Sequence, residues 1–287
     1  MVSIQEAFYQ LKNLLTSIYE DGEAAAISHE WLQHLTGMSR VERLLNKELQ
    51  FSSAQLQQHL QAQEQLVKGV PIQYVIGSCW FMDALFQVTK QVLIPRPETE
   101  ELVQWVVNDW EQQPTCSILD IGTGSGCIPI SLKRKLPKAQ VSSIDISKEA
   151  LQVASINAQN LNTLIELIHL DFLDEATWVT LGMFDSIISN PPYIPYSEKQ
   201  IIPHNVVAHE PHLALFVPDD DGLVFYRKIA LFARDHLLPS GSVYLEIHQD
   251  YAPATQQLLQ KYFKEVTLQK DMSGNDRMIK ATGHLGE

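Results

Sequence analysis

The stretch Ile118-Leu119-Asp120-Ile121-Gly122-Thr123-Gly124-Ser125-Gly126-Cys127-Ile128 decides the fold. Apolar positions run into three glycines at alternate places, and an amphipathic pattern resumes from Ile128 to Leu136. A buried strand, a glycine-rich turn and a helix in that order open a nucleotide-type site, because glycine lets a ligand come close to the backbone. Working outward, strand-like runs recur at Val141 to Ile146, Ile165 to Ile168, Phe184 to Ile188 and Ser242 to Ile247, with amphipathic stretches between several of them. That alternation predicts an α/β fold with a parallel, doubly wound, Rossmann-like sheet. The last runs, Lys264 to Gln269 and Met278 to Thr282, read as a closing hairpin that adds an antiparallel edge strand.

Upstream of Pro71 the texture is different. Ile4, Phe8, Leu11, Leu15 and Ile18 recur at three- and four-residue steps, and Gly37, Asn46 and Ser52-Ser53 punctuate later helices up to about Leu66. Gln57-Gln58-His59 and Gln61-Ala62-Gln63 read as solvated helix faces. Pro71 and Gly77 end the helical region, and Trp80-Phe81 through Val92-Leu93-Ile94 read as two short strands around Thr89-Lys90-Gln91. The expected division is a helical domain over 1–76, a hairpin linker over 77–95 and the α/β domain over 96–287.

Composition narrows the class. With 287 residues and 45% hydrophobic content, the chain can bury one large core, or one core and a small accessory domain. The start, Met1-Val2-Ser3-Ile4-Gln5-Glu6, has neither the order of a secretory signal nor the arginines of a transit peptide, and no apolar run approaches membrane-spanning length. Cys79, Cys116 and Cys127 are odd in number and widely spaced, which suits a reducing, cytoplasmic setting and makes a poor zinc site. A metal is not expected. The formal net charge of −13 counts against a nucleic-acid substrate, which usually requires a basic face.

The second strand of the α/β part ends at Asp145, roughly twenty residues past the glycines, where a carboxylate can take both hydroxyls of a ribose. A third strand leads to Asp171-Phe172, whose ring could pack on an adenine while the acid accepts from its amine. Taken singly, these have plain structural readings: a tight turn, a cap for the helix starting near Lys148, an ordinary core ring. Their order along the chain favours the ligand. A dinucleotide fingerprint would place Gly or Ala where Cys127 stands, so the third glycine comes one residue early. We therefore expect S-adenosylmethionine, with Asp120, Gly122, Thr123, Gly124, Ser125 and Gly126 at its amino-acid end.

The remaining motif is Ile187-Ile188-Ser189-Asn190-Pro191-Pro192-Tyr193-Ile194, an apolar strand ending in Asn-Pro-Pro-Tyr. The Asn190 side-chain oxygen and the Pro191 carbonyl can each accept one hydrogen of a planar NH2 group, while the Tyr193 ring covers one face. Two prolines stiffen the turn. Since an amide or exocyclic amine is a weak nucleophile, placement and charge complementarity matter more than a strong base, and the motif supplies both. It points to methyl transfer onto nitrogen. The plain alternative is a Pro-Pro turn after a buried strand.

Over nearly its whole length the chain resembles the release factor glutamine methyltransferases, the HemK-type (PrmC) protein-(glutamine-N5) methyltransferases. The resemblance rests on the glycine run, on Asn190-Pro191-Pro192-Tyr193, on Ile94-Pro95-Arg96-Pro97-Glu98-Thr99-Glu100-Glu101-Leu102-Val103, and on Asp221-Gly222-Leu223 with Tyr226-Arg227. Asp271 and Asn275-Asp276-Arg277 also resemble the family, or form a charged turn. It implies a class I methyltransferase domain, a β-hairpin linker and an N-terminal helical domain that helps hold the protein substrate. That substrate would be the Gly-Gly-Gln glutamine of bacterial class 1 peptide chain release factors. Carried over by position, the loop Gly122 to Gly126, Asp145, Phe172 and Asn190 would contact S-adenosylmethionine, and Asn190, Pro191, Pro192 and Tyr193 would hold the glutamine, with Asn190, Pro191 and Tyr193 catalytic. Arg96 and Glu98 either close the site or form a structural salt bridge. Asp83 and Phe216-Val217-Pro218-Asp219-Asp220 depart from the family, which usually has glycines there. His204, His209 and His212 are expected in a loop. A monomer that binds no membrane is expected. Rival readings are an adenine-N6 nucleic-acid methyltransferase, which would grip the same kind of NH2 group, and a non-catalytic binding protein on the same fold. A nicotinamide oxidoreductase fails on the glycine spacing.

Overall fold

The computed structural model describes residues 2–113 and 115–285. The chain forms two units, Met1–Ser78 with Pro203–His209, and Cys79–Ile202 with Glu210–Glu287.

The first unit is helical: α1 (Ile4–Leu15), α2 (Asp21–Thr36), α3 (Arg40–Leu45), α4 (Ser53–Leu66) and α5 (Ile72–Ile76). Their starts are written locally. Ser3, Ser39 and Ser52 each accept from the backbone N–H three residues on, and Glu6, Glu42 and Gln55 return the bond, so three helices open on capping boxes. Gly37 and Gly77 end α2 and α5 in the left-handed region, which costs glycine nothing. Ala7, Leu11, Leu15, Ala24, Leu32 and Leu66 form the core. The solvated-face expectation fails in α4 at His59 and Ala62, which are buried with Leu66. His59 is acceptable there because its Nδ1 accepts from Trp31 Nε1 at 2.9 Å, while Nε2 lies 3.1 Å from Gln63 Nε2. Burial pushes its pKa down to about 4.

The second unit begins with β1 (Ser78–Phe81) and β2 (Ala84–Gln87) and continues through α6 (Pro97–Trp110), β3 (Ser117–Ile121), α7 (Cys127–Lys135), β4 (Gln140–Asp145), α8 (Lys148–Asn160), β5 (Glu166–His169), β6 (Phe184–Ser189) and β7 (Ile194–Pro195). After α9 (His204–His209), which belongs to the helical unit and replaces part of the expected histidine loop, it resumes with β8 (Phe216–Val217), α10 (Val224–His236), β9 (Leu237–Glu246), α11 (Ala252–Leu259), β10 (Phe263–Lys270) and β11 (Asp276–His284). The hairpin turn falls at Met82-Asp83, with Met82 at φ 54, and not at Thr89-Lys90-Gln91. Thr89 to Val92 is instead a separate turn, closed by Val92 N–H donating to Thr89 O at 3.0 Å, and Val92 to Ile94 form no strand. Asp83 is used at the turn: it pairs with Lys135 at 3.1 Å and lies 3.9 Å from Arg134, both on α7.

Seven strands form the main sheet in the order β10-β11-β9-β6-β3-β4-β5. β9, β6, β3, β4 and β5 are parallel, and β11 pairs antiparallel with both β9 and β10, so the closing hairpin supplies the antiparallel edge region. Neighbouring residues along each strand face opposite sides. Leu119, Ile187, Val243 and Ile279 pack with α10 and α11, while Ile118, Ile188, Tyr244 and Met278 pack with α6 and α7. Two cores therefore sandwich the sheet. The chain runs outward from β3 to β4 and β5, then returns to place β6 on the other side of β3. The crevice at the carboxyl ends of β3 and β6 is thus a topological switch point, where open α/β sheets bind ligands.

Candidate active site

A cavity of 390 Å³ opens at that crevice, within the range of small-molecule sites. Gly122, Thr123, Gly124, Ser125, Asp145, Phe172, Asn190, Pro191 and Pro192 line it, together with Arg96, Thr99, Cys127 and the segment Pro211 to Ala214. Three expected site residues stand behind this lining: Asp120, Gly126 and Tyr193.

The glycines divide by role. Gly122 and Gly124 have φ of 89 and 53, and a Cβ at Gly124 would meet nothing within 4 Å. A Cβ at Gly122 would meet only Asn190 O, at 4.0 Å. Their bare backbone faces room that a ligand can fill. Gly126 does something else, because a Cβ there would stand 2.9 Å from Ile130 Cδ1 and 3.1 Å from Ala154 Cβ. It is the packing glycine that lets α7 and α8 approach. Asn157, fully buried on α8, fixes the turn from below: its Nδ2 donates to Ser125 O at 2.8 Å and to Gln87 O at 2.9 Å, and its Oδ1 accepts from Gln87 N–H at 2.7 Å.

Asp145 ends β4 beside the turn. Its Oδ2 accepts from Gly124 N–H at 2.9 Å and its Oδ1 from Ser147 N–H at 2.8 Å. Each carboxylate oxygen keeps a lone pair for a vicinal diol. Burial raises the Asp145 pKa, and the two backbone donors work against that rise. Asp120 is fully buried, with Oδ2 accepting from Ser143 Oγ at 2.5 Å and Oδ1 unpartnered among the described residues. Burial pushes its pKa up to about 8. Phe172 stacks on Trp178 at 5.4 Å, which bears out the core reading of this ring, and it also borders the cavity. Burial pushes the Cys127 thiol up to about 12, which keeps a competing thiolate out of the cavity.

The Asn-Pro-Pro-Tyr turn leaves β6 at Ser189, next to Ile121 of β3. Asn190 Nδ2 donates to Thr99 Oγ1 at 3.1 Å, and Thr99 Oγ1 donates to Glu246 Oε2 at 2.6 Å. Tyr193 Oη donates to Glu246 Oε1 at 3.1 Å. Asn190 Oδ1 has no hydrogen-bond partner among the described residues, so it is the acceptor left to this cavity-lining residue. Burial and the neighbouring Glu246 raise the Tyr193 pKa, so the phenol stays protonated. Glu246 itself is buried, which raises its pKa against the pull of Thr99, Arg277 and Tyr193. Thr99 sits in the first turn of α6, which starts with Pro97 in its first turn, an arrangement that uses proline's missing N–H.

Arg96 pairs with Glu210, not Glu98, at 2.5 Å, and Glu210 also accepts from Ile94 N–H at 3.2 Å. This carboxylate, 4% exposed, ties the Ile94 to Arg96 segment to the Pro211 to Ala214 wall. The family-departing stretch at Phe216 and Val217 is β8, paired parallel with β7, and Tyr196 stacks on Phe216 at 5.1 Å. Asp271 accepts from Asn275 N–H at 2.9 Å and from Arg277 Nε at 3.4 Å, which supports the charged-turn reading, and Arg277 also reaches Ile247 O at 3.3 Å. Sequence reasoning missed Glu246, Glu210 and the role of Thr99. For Glu246 a signal existed: an acid within the apolar run Val243-Tyr244-Leu245-Glu246-Ile247.

A parallel sheet with a glycine turn, an acid at the next strand end and an Asn-Pro-Pro-Tyr turn define a methyltransferase. Residues 99–213 match the methyltransferase small domain, and residues 6–77 match the PrmC N-terminal domain. The chain belongs to the release factor glutamine methyltransferase family. It is 42% identical over 278 residues to the release factor glutamine methyltransferase of Flavobacterium psychrophilum, covering 94% of this chain and 96% of that protein. The Bacillus subtilis enzyme of the same name is 36% identical over 295 residues, covering 99% of both. Among solved structures, the hMettl16 catalytic domain in complex with MAT2A 3'UTR hairpin 6 shares the fold at TM-score 0.52 and 17% identity, covering 82% of this chain and 83% of that one. No helix among the described residues is long and apolar enough to cross a membrane.

Proposed function

We propose that this protein transfers a methyl group from S-adenosylmethionine to the side-chain amide nitrogen of the glutamine in the Gly-Gly-Gln motif of bacterial peptide chain release factors. The observation that carries this reading is the Asn190 amide at the cavity, whose nitrogen gives one hydrogen to Thr99 and whose oxygen, without a partner among the described residues, can accept from an NH2 donor. The names of the relatives supply the substrate.

S-adenosylmethionine supplies a methyl group on a positively charged sulfur, open to in-line attack. The residues present fit it: bare glycine backbone at Gly122 and Gly124 would let it approach, the Asp145 carboxylate would take the ribose hydroxyls, and the Phe172 ring would pack on the adenine. Asn190 Oδ1 and Pro191 O accept the two hydrogens of the glutamine NH2 and fix its plane. As positive charge develops on that nitrogen, the same two oxygens stabilise it, and a proton then leaves to water. No strong base is needed. Tyr193 packs beside the turn, with its hydroxyl turned to Glu246 and away from proton transfer. The helical domain over 1–76 helps hold the release factor, 77–95 is the linker and 96–287 is the catalytic domain. The protein acts in the cytoplasm as a monomer, without nucleic acid or membrane.

The test is intact mass and peptide mapping of an unmethylated release factor incubated with this protein and S-adenosylmethionine. One methyl group on the Gly-Gly-Gln glutamine is expected. Asn190→Ala should lose on the order of a hundredfold to a thousandfold in turnover, as when one preorganised polar partner is removed. Wild-type turnover in that variant would refute the role of Asn190, and methyl transfer to adenine in its place would refute the substrate.

A further inference from the structure

One buried carboxylate stands behind both ends of the Asn-Pro-Pro-Tyr turn. Glu246, 2% exposed at the end of β9, accepts from Thr99 Oγ1 through Oε2 and from Tyr193 Oη through Oε1. Thr99 has a single hydroxyl proton, and a carboxylate without a proton can only accept. The Thr99 proton is therefore committed to Glu246. What remains to Thr99 is an acceptor lone pair, and Asn190 must present Nδ2 to it. The chain of polarity runs from Glu246 through Thr99 to Asn190 and leaves Oδ1 as the free acceptor of a residue that lines the cavity. If the Thr99 hydroxyl could donate to Asn190 instead, the amide would be stable in the flipped orientation. It would then set its NH2 against the NH2 of the substrate, two donors face to face.

We propose that Glu246, acting through Thr99, is a positioning residue of the methyl transfer that fixes which end of the Asn190 amide meets the substrate, an inference that rests on the amide-directed reaction proposed above. Arg277 favours the ionised form of Glu246 against the burial that raises its pKa, and its guanidinium is held by Asp271 and Ile247 O. Glu246→Gln keeps the shape but turns one acceptor into an NH2, so either Thr99 or Tyr193 must lose its acceptor. Thr99→Val keeps the shape and removes both bonds of the relay, to Glu246 and to Asn190, while leaving the Tyr193 bond to Glu246 in place. Thr99→Ser restores the hydroxyl.

The experiment measures kcat and KM on an unmethylated release factor, with the S-adenosylmethionine Kd by calorimetry, for wild type, Glu246→Gln, Thr99→Val and Thr99→Ser. Wild type is expected to be active. Glu246→Gln and Thr99→Val should each lose on the order of tenfold or more in kcat with little change in KM or cofactor Kd, the mark of a reacting group held in the wrong orientation. Thr99→Ser should recover most of the loss. Undiminished kcat in Thr99→Val, or a Thr99→Ser variant as slow as Thr99→Val, would overturn the relay even where Glu246→Gln does not fold. Losses that appear equally in cofactor Kd would overturn it too, since they report a collapsed site. Absence of transfer by the wild type would take down the substrate reading itself.

Discussion

At the scale of single residues, the site separates groups that face the cavity from groups that orient them. Asp145 faces it, and two backbone N–H groups hold its carboxylate in place. Hydrogen bonds to charged groups are worth about 1.5 to 3 kcal/mol each. Asp145→Ala should therefore weaken S-adenosylmethionine binding by roughly tenfold or more while leaving the fold intact. Calorimetric titration checks this, and an unchanged Kd would remove Asp145 from the cofactor site. The residue motifs were legible because glycine, proline and asparagine carry their meaning locally. Glu246 and Glu210 were not, since each lies more than a hundred positions from a partner it serves: Glu246 from Thr99, and Glu210 from Arg96 and Ile94. No spacing rule reaches that far.

Among the elements, α7 and α8 meet at a glycine. Gly126→Ala would place a methyl group 2.9 Å from Ile130 at a φ of 81, so both packing and backbone oppose it. A loss of about 1 to 3 kcal/mol is expected by urea unfolding, together with weaker cofactor binding as the turn shifts. In the helical unit, the contact of α2 with α4 through Trp31 and His59 depends on a neutral imidazole. Burial lowers the folded pKa to about 4, below the unfolded 6.5, so the unfolded chain takes up the proton first. Stability is thus complete above the unfolded pKa and falls as pH drops from 6.5 toward 4, by up to about 3 kcal/mol before solvent screening. Denaturant midpoints for wild type and His59→Gln at pH 7.5 and pH 5 check the sign: the variant should lose less on acidification. Sequence periodicity read the polar residues of α4 as one exposed face, because it cannot see that Trp31 supplies the partner which admits His59 to the core.

At the scale of the whole molecule, the cavity is bounded by the ends of β3, β4 and β6, so a ligand there joins segments far apart in the chain. Binding only the native state stabilises it by mass action. At a hundredfold excess over Kd, S-adenosylmethionine should add about 2.7 kcal/mol to the unit that holds it. Thermal unfolding followed with and without the ligand should show the shift, and Asp145→Ala should need correspondingly more ligand for the same effect. The formal net charge of −13 acts at this scale too, since on average it repels a phosphate backbone.

The sequence by itself determined the alternation of strands and helices, the helical texture upstream of Pro71, the glycine turn and the Asn-Pro-Pro-Tyr turn. All of these are set by propensities and hydrogen bonds within a few residues. The hairpin turn at Met82-Asp83 was misplaced because Met82, which takes the positive φ, is not a usual turn former, and a lone Asp83 is a weak signal beside Thr89-Lys90-Gln91. Only the tertiary structure decided that Gly126 serves packing, that Arg96 answers Glu210, and that one carboxylate on β9 accepts from both Thr99 and Tyr193. Those outcomes depend on the strand order, which brings β9 beside β6 and β6 beside β3, and on burial, which forces each polar group brought inside to find a partner.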